Sequence, residues 1–118
     1  MSNIDNTLYI KRILLEAYTN NEQLIFDLAT EISNNICSCS VGGISKDAVG
    51  LHLNFSCSSM NVNQNDIKLA IVHSIKNILY SDTFTDDATI TDFLSNDNNI
   101  YNLFSVMYVR GLSFTIII

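Results

Sequence analysis

Residues 49 to 57, VGLHLNFSC, alternate in character: Leu51, Leu53, Phe55 and Cys57 point one way, His52, Asn54 and Ser56 the other. A strand with that pattern buries one face and leaves the other to water, so the rest of the chain must supply an apolar layer to cover it. Helical stripes provide that layer. Residues 6 to 18 place Ile10, Ile13, Leu14, Ala17 and Tyr18 on one face, which predicts an amphipathic helix ended by Asn20-Asn21. A second helix is expected over 21 to 35, with Gln23 three residues after Asn20 in the arrangement of a capping box and a stripe of Ile25, Leu28, Ala29, Ile32 and Ile36. Its polar side carries Asp27 and Glu31.

Downstream, Asn63 precedes a third helix over about 64 to 80, whose stripe of Ile67, Ala70, Ile71, Ile75, Ile78 and Leu79 leaves His73 and Lys76 outside it. A short fourth helix over 86 to 95 would bury Ile90, Phe93 and Leu94. Two strands, about 100 to 109 and 112 to 118, then close the chain around a turn at Arg110-Gly111. Leu112, Phe114, Ile116 and Ile118 share one face of the last strand. Gly42-Gly43 and the following ISKDA predict a loop, with ICSCSV before it as the hairpin partner of residues 49 to 57. The order helix, helix, strand, strand occurs twice without residue-level similarity, which we take as a coincidence of order rather than a repeat. Together these elements predict a single α+β domain over residues 1 to 118, an antiparallel sheet of about four strands with helices packed mainly on one face.

Composition agrees with one core. Of 118 residues, 47% are apolar and 15% charged, and a chain of this length buries roughly 65% of its unfolded surface. The N-terminal residues lack the pattern of a secretory signal. The apolar run IYNLFSVMYVRGLSFTIII is broken by Asn102, Ser105, Arg110, Ser113 and Thr115, so it predicts a buried hairpin rather than a membrane anchor. Three cysteines, an odd count, with no export signal predict free thiols in a reducing cytoplasm. The sequon Asn54-Phe55-Ser56 then has no consequence.

The cysteines raise the question of a metal. The obvious zinc set is Cys37, Cys39, Cys57 and His52, but His52 and Cys57 lie an odd number of residues apart and point to opposite faces of a regular strand. In one hairpin register Cys37, Cys39 and Val41 join Leu53, Phe55 and Cys57 in the core; in the other they join His52 and Asn54. The first buries more apolar area and is the expected one. A bond from Cys37 to Cys39 is disfavoured, because same-face neighbours on a strand lie about 7 Å apart. No nucleophile elbow, phosphate-binding glycine loop or zincin motif occurs, so no catalytic residue, metal or cofactor is expected.

The acids are more informative. Twelve acidic against six basic residues give a net charge of −6, which repels a phosphate backbone and excludes direct nucleic-acid binding. Residues 82 to 97, DTFTDDATITDFLSND, hold Asp82, Asp86, Asp87, Asp92 and Asp97 with no basic residue. A calcium loop fails on spacing: starting from Asp82, Phe84 takes the third position, Asp87 the place of the required glycine, and Phe93 that of the closing glutamate. Part of the cluster can serve the short helix, with Thr85 as cap and Asp86 and Asp87 in its first turn.

The remainder suits a docking surface for a basic partner. Asp27 and Glu31 would extend it if helices two and four lie side by side, with Tyr80, Phe84 and Tyr101 as aromatic anchors. These features favour a small acidic protein-binding module, of the immunity or antitoxin type, that covers the active surface of a basic toxin such as a nuclease. The alternatives are a secretion-type chaperone for a client protein, and a small enzyme or metal-binding protein built on Cys37, Cys39 and His52.

Overall fold

The structure, a computed structural model, describes residues 3 to 36, 39 to 58, 64 to 80, 87 to 109 and 113 to 118, with 3 to 5 and 108 to 109 described by backbone alone. Helix α1 spans Asn3–Asn20 and α2 Glu22–Asn34; strands β1 (Cys39–Lys46) and β2 (Leu51–Cys57) follow. Then come α3 (Gln64–Leu79), α4 (Ala88–Leu94), α5 (Asp97–Tyr101), β3 (Ser105–Val109) and β4 (Ser113–Ile117). The four strands form one antiparallel sheet in the order β1-β2-β4-β3. This is the expected α+β class.

Each half of the chain contributes one hairpin, and the two hairpins meet through their second strands. At that seam Phe55 stands opposite Phe114 and their rings stack with centroids 5.0 Å apart. Leu51, Leu53 and Phe55 from β2 and Phe114 and Ile116 from β4 join Ile10 and Leu14 of α1, Ile25, Leu28 and Ile32 of α2, and Ile67, Ile71 and Ile75 of α3 in one core. His52, Asn54 and Ser56 lie on the other side of the sheet, where the Thr115 hydroxyl donates to Asn54 Oδ1 across the seam at 2.7 Å. The three long helical stripes read from the sequence are therefore the core-facing stripes. Helix α3 adds a fully buried Ser74, whose hydroxyl oxygen accepts from Asn35 Nδ2 at the end of α2.

Five local expectations are corrected. Gly42-Gly43 is not a loop: β1 runs through both residues to Lys46, and its register against β2 shifts between Val41 and Gly43. The extra residue reverses the alternation, so that Cys39 and Val41 before it and Ile44 after it all sit opposite core-facing positions of β2. The hairpin turn comes later, at residues 47 to 50. There Asp47 Oδ1 accepts from the backbone N–H of Val49 and Gly50 and lies 3.0 Å from His52 Nε2. The Val49 N–H, followed by His52, holds the Asp47 carboxyl below its ordinary pKa.

The capping box at α2 does not form; Asn21 occupies the cap position without a side-chain bond, and Gln23 donates along the helix to Asp27. At α4 the cap is Asp87 rather than Thr85, because its carboxylate accepts from the N–H of Thr89 and Ile90. Residues 100 to 104 precede the strand instead of starting it, since Asn96 caps the extra turn α5 through the N–H of Asn98. The expected turn at Arg110-Gly111, with Leu112, lies outside the described residues, as do Asn63 and Thr85.

The fifth correction concerns the cysteines. Cys39 pairs with Cys57 in the register that also sets Val41 opposite Phe55, and the two form a disulfide with Cα atoms 4.0 Å apart. The side of the sheet shared with Phe55 is the expected one, but Cys39 and Cys57, expected as free thiols, are bonded to each other. The free thiols expected from the odd cysteine count are thus not found at Cys39 and Cys57. Cys37 lies outside the described residues.

Candidate functional site

The acidic residues reach the surface from three helices, and α3 organises them. Its last turn presents Lys76 to Asp97 of α5 in an ion pair, while Asn77 Nδ2 donates to Glu31 of α2. Two consecutive residues of one helix thus bring carboxylates from α2 and α5 to the same turn. Tyr80, one residue past α3, donates its backbone N–H to the Lys76 carbonyl and is 48% exposed. The condition set for Asp27 and Glu31, that helices two and four lie side by side, is not met: α2 packs on α1, α3 and β1, and α4 on α1 and α5, and it is α3 that brings Glu31 and Asp97 to one turn. Asp27 stays on the outer face of α2, bound to Gln23.

Asp87 carries a structural role. Besides capping α4, its carboxylate accepts the Tyr9 hydroxyl proton from α1, and α1 lies against α4 through this contact. The Tyr9 bond, followed by the backbone N–H of Ile90 and Thr89, lowers the Asp87 pKa, and the same bond raises that of Tyr9. A depressed carboxyl pKa contributes stability above the ordinary carboxylate range, and that contribution is lost as acid titrates the group in the folded state. Asp87→Ala is accordingly expected to cost about 1 kcal/mol at neutral pH in urea unfolding. The difference from the parent protein should shrink below about pH 4; a pH-independent difference would remove the capping assignment.

The remaining candidates divide. Asp92 is exposed, and its carboxylate has no hydrogen-bond or ion-pair partner among the described residues. Tyr101, 36% exposed, leans on Phe104 with ring centroids 6.4 Å apart. Asp82, Phe84 and Asp86 lie outside the described residues. Of the described acids between 82 and 97, Asp87 serves as a cap and Asp97 as an ion-pair partner, while the Asp92 carboxylate has no partner among the described residues.

Of the Cys and His set, the described members Cys39, Cys57 and His52 do not converge, and Cys37 lies outside the described residues. Cys39 is bonded to Cys57, and His52, on the opposite face, sits against Asp47. No group of three or more metal-ligating side chains occurs among the described residues, and no helix among them is long and apolar enough to cross a membrane.

A second feature was not foreseen. A groove of about 510 Å³ opens beneath β3, where the start of α3 meets Tyr101, Phe104 and Val106. The only sequence signal for it was the lack of charge in SVMYV, which reads equally well as a buried strand. No protein-family model, no curated protein and no solved structure matches this chain.

Proposed function

We propose that this chain is a small acidic protein-binding module that acts by covering a basic surface of another protein, in the manner of an immunity or antitoxin protein against a toxin such as a nuclease. The observation that supports this reading is the gathering of Glu31 and Asp97 at the last turn of α3 beside an exposed Tyr80. An exposed aromatic side chain at a helix end that also carries carboxylates is a surface on which a basic partner gains both encounter rate and fit. The net charge of −6 extends the same field over the whole molecule. Because the Cys39–Cys57 bond persists best where thiols are oxidised, we place the encounter in such a compartment rather than in the reducing cytoplasm that free thiols would imply.

The test uses charge removal that spares the cap. A variant carrying Glu31→Gln, Asp92→Asn and Asp97→Asn, with Asp87 intact, is compared with the parent protein for affinity to the basic protein that copurifies with it from its host. The affinity is expected to fall at least tenfold, mainly through a slower association rate that is itself salt-dependent. Unchanged affinity and unchanged salt dependence would end the proposal. Adding Tyr80→Ala should cost a further factor through faster dissociation.

A further inference from the structure

The groove beneath β3 shares Tyr101 with the anchors named for the acidic surface but carries an inference that does not rest on the acids. Strand β3 is an outer strand of the sheet: it pairs with β4 on one side, and no inter-element backbone hydrogen bond leaves its other side among the described residues. The opposite edge is blunted. Strand β1 is interrupted at Gly42 and ends in Lys46, both of which discourage another strand from pairing there. Strand β3, SVMYV, has no charge, no proline and no shift of register, and Met107 is 55% exposed on it. An edge of this kind is a template for strand addition.

What the groove adds is chemistry at one end of that edge. Phe104 and Val106 give it an apolar wall at the start of β3, and Lys68 of α3 reaches it from the other side. Lys76, two turns along the same helix, is paired with Asp97; Lys68 makes no ion pair among the described residues. Every strand pair in the sheet is antiparallel, and a fifth strand added to β3 in the same sense would run its C-terminal end toward Ser105, where Lys68 waits. Gln64 and Asn65 also line that end and offer amide donors. A stretch of many acidic residues is disfavoured by the net charge of −6, whereas one terminal carboxylate meets one unpaired ammonium.

We propose that β3 and its groove bind the C-terminus of another protein as an added antiparallel strand, with the terminal carboxylate at Lys68 and the last apolar side chain against Phe104 and Val106. The ladder gives affinity to any extended segment, and the groove selects its end.

The test is selection on the intact, oxidised protein from a random heptapeptide library displayed with free C-termini. Winners are resynthesised as acids, as C-terminal amides and with alternate backbone amides N-methylated, and measured by fluorescence anisotropy. Enrichment of aliphatic or aromatic C-terminal residues is expected, together with at least tenfold weaker binding of the amide. Lys68→Gln should bring the acid down to the amide, and Lys68→Arg should restore most of the difference. N-methylation should abolish binding in one phase of the alternation and not in the other. The proposal is overturned by a library that does not enrich, by equal binding of acid and amide, by indifference to Lys68→Gln or to the phase of N-methylation, or by an edge already paired with a second copy in solution. Lys68 is exposed, so its variants test binding in a folded protein.

Discussion

Gly50→Ala is expected to destabilise the domain by about 3 kcal/mol or more, although it adds one methyl group to a turn. Gly50 has a φ of +151°, a region that residues with a side chain avoid, and a Cβ built there would lie 2.3 Å from the carbonyl oxygen of Ile118. That oxygen accepts from the Leu51 N–H at 2.9 Å, and Leu51 in turn accepts from the Ile118 N–H at 2.9 Å. The clash therefore falls on the end of the β2–β4 pairing, between backbone groups that cannot swing aside as a flexible side chain would. Relief requires either a strained turn or the loss of both bonds, and about 1 kcal/mol per bond adds to the conformational cost. Gly43→Ala provides the comparison, because nothing lies within 4 Å of its built Cβ. Urea unfolding of the pair should separate them: a large drop in midpoint for Gly50→Ala at unchanged slope, and a change within about 0.5 kcal/mol for Gly43→Ala. Equal effects would show that the turn relaxes around the added methyl.

Breaking the Cys39–Cys57 bond is expected to cost about 3 kcal/mol, the loop-closure value for cysteines 18 residues apart. Cys57→Ser and chemical reduction of the parent protein should give the same loss in thermal or urea unfolding, and reductant should add nothing to Cys57→Ser. The bond ties the first residue of the outer strand β1 to the last of β2, so its loss should show first as faster amide exchange along Cys39–Val41, ahead of the Gly42 irregularity. Rapid acid quenching and alkylation of the protein in its host reads the same bond as a mass shift, and would place the molecule in an oxidising or reducing compartment. A parent protein whose stability is indifferent to reductant would mean that the two sulfurs do not bridge.

What the sequence could show was set by range. Leu51, Leu53 and Phe55 announced a one-faced strand, and Ile67, Ile71 and Ile75 a one-faced helix, because each pattern is written within a dozen residues. The residues misread were those whose role depends on a distant neighbour. Gly42 looks like a loop residue until the consecutive pair Phe55 and Asn54 is seen facing Val41 and Gly43 on either side of it, when it becomes the spare residue that turns Ile44 inward. The register that favoured Phe55 over His52 was chosen correctly from apolar area, yet it held a consequence for Cys39 and Cys57 that spacing within either strand did not display.

The candidate site followed the same rule. Asp87 was seen as an acid near a helix start, but its bond to Tyr9 spans 78 residues and its place as the cap depended on where α4 begins. Glu31 and Asp97 were both named, while the helix turn that unites them was not, because Asn77 and Lys76 are unremarkable in sequence. The groove at β3 needed the sheet order before its edge could be seen as open.

The seam between the hairpins also sets a clock. Each hairpin closes over a few residues, but the ladder that joins them brings Asn54 to Thr115 across 61 positions, so the search for that encounter is the slow event in forming the sheet. The disulfide shortens nothing in that search, since both its cysteines belong to the first hairpin. Oxidised and reduced chains should therefore reach the native sheet at similar rates and differ in how long they keep it.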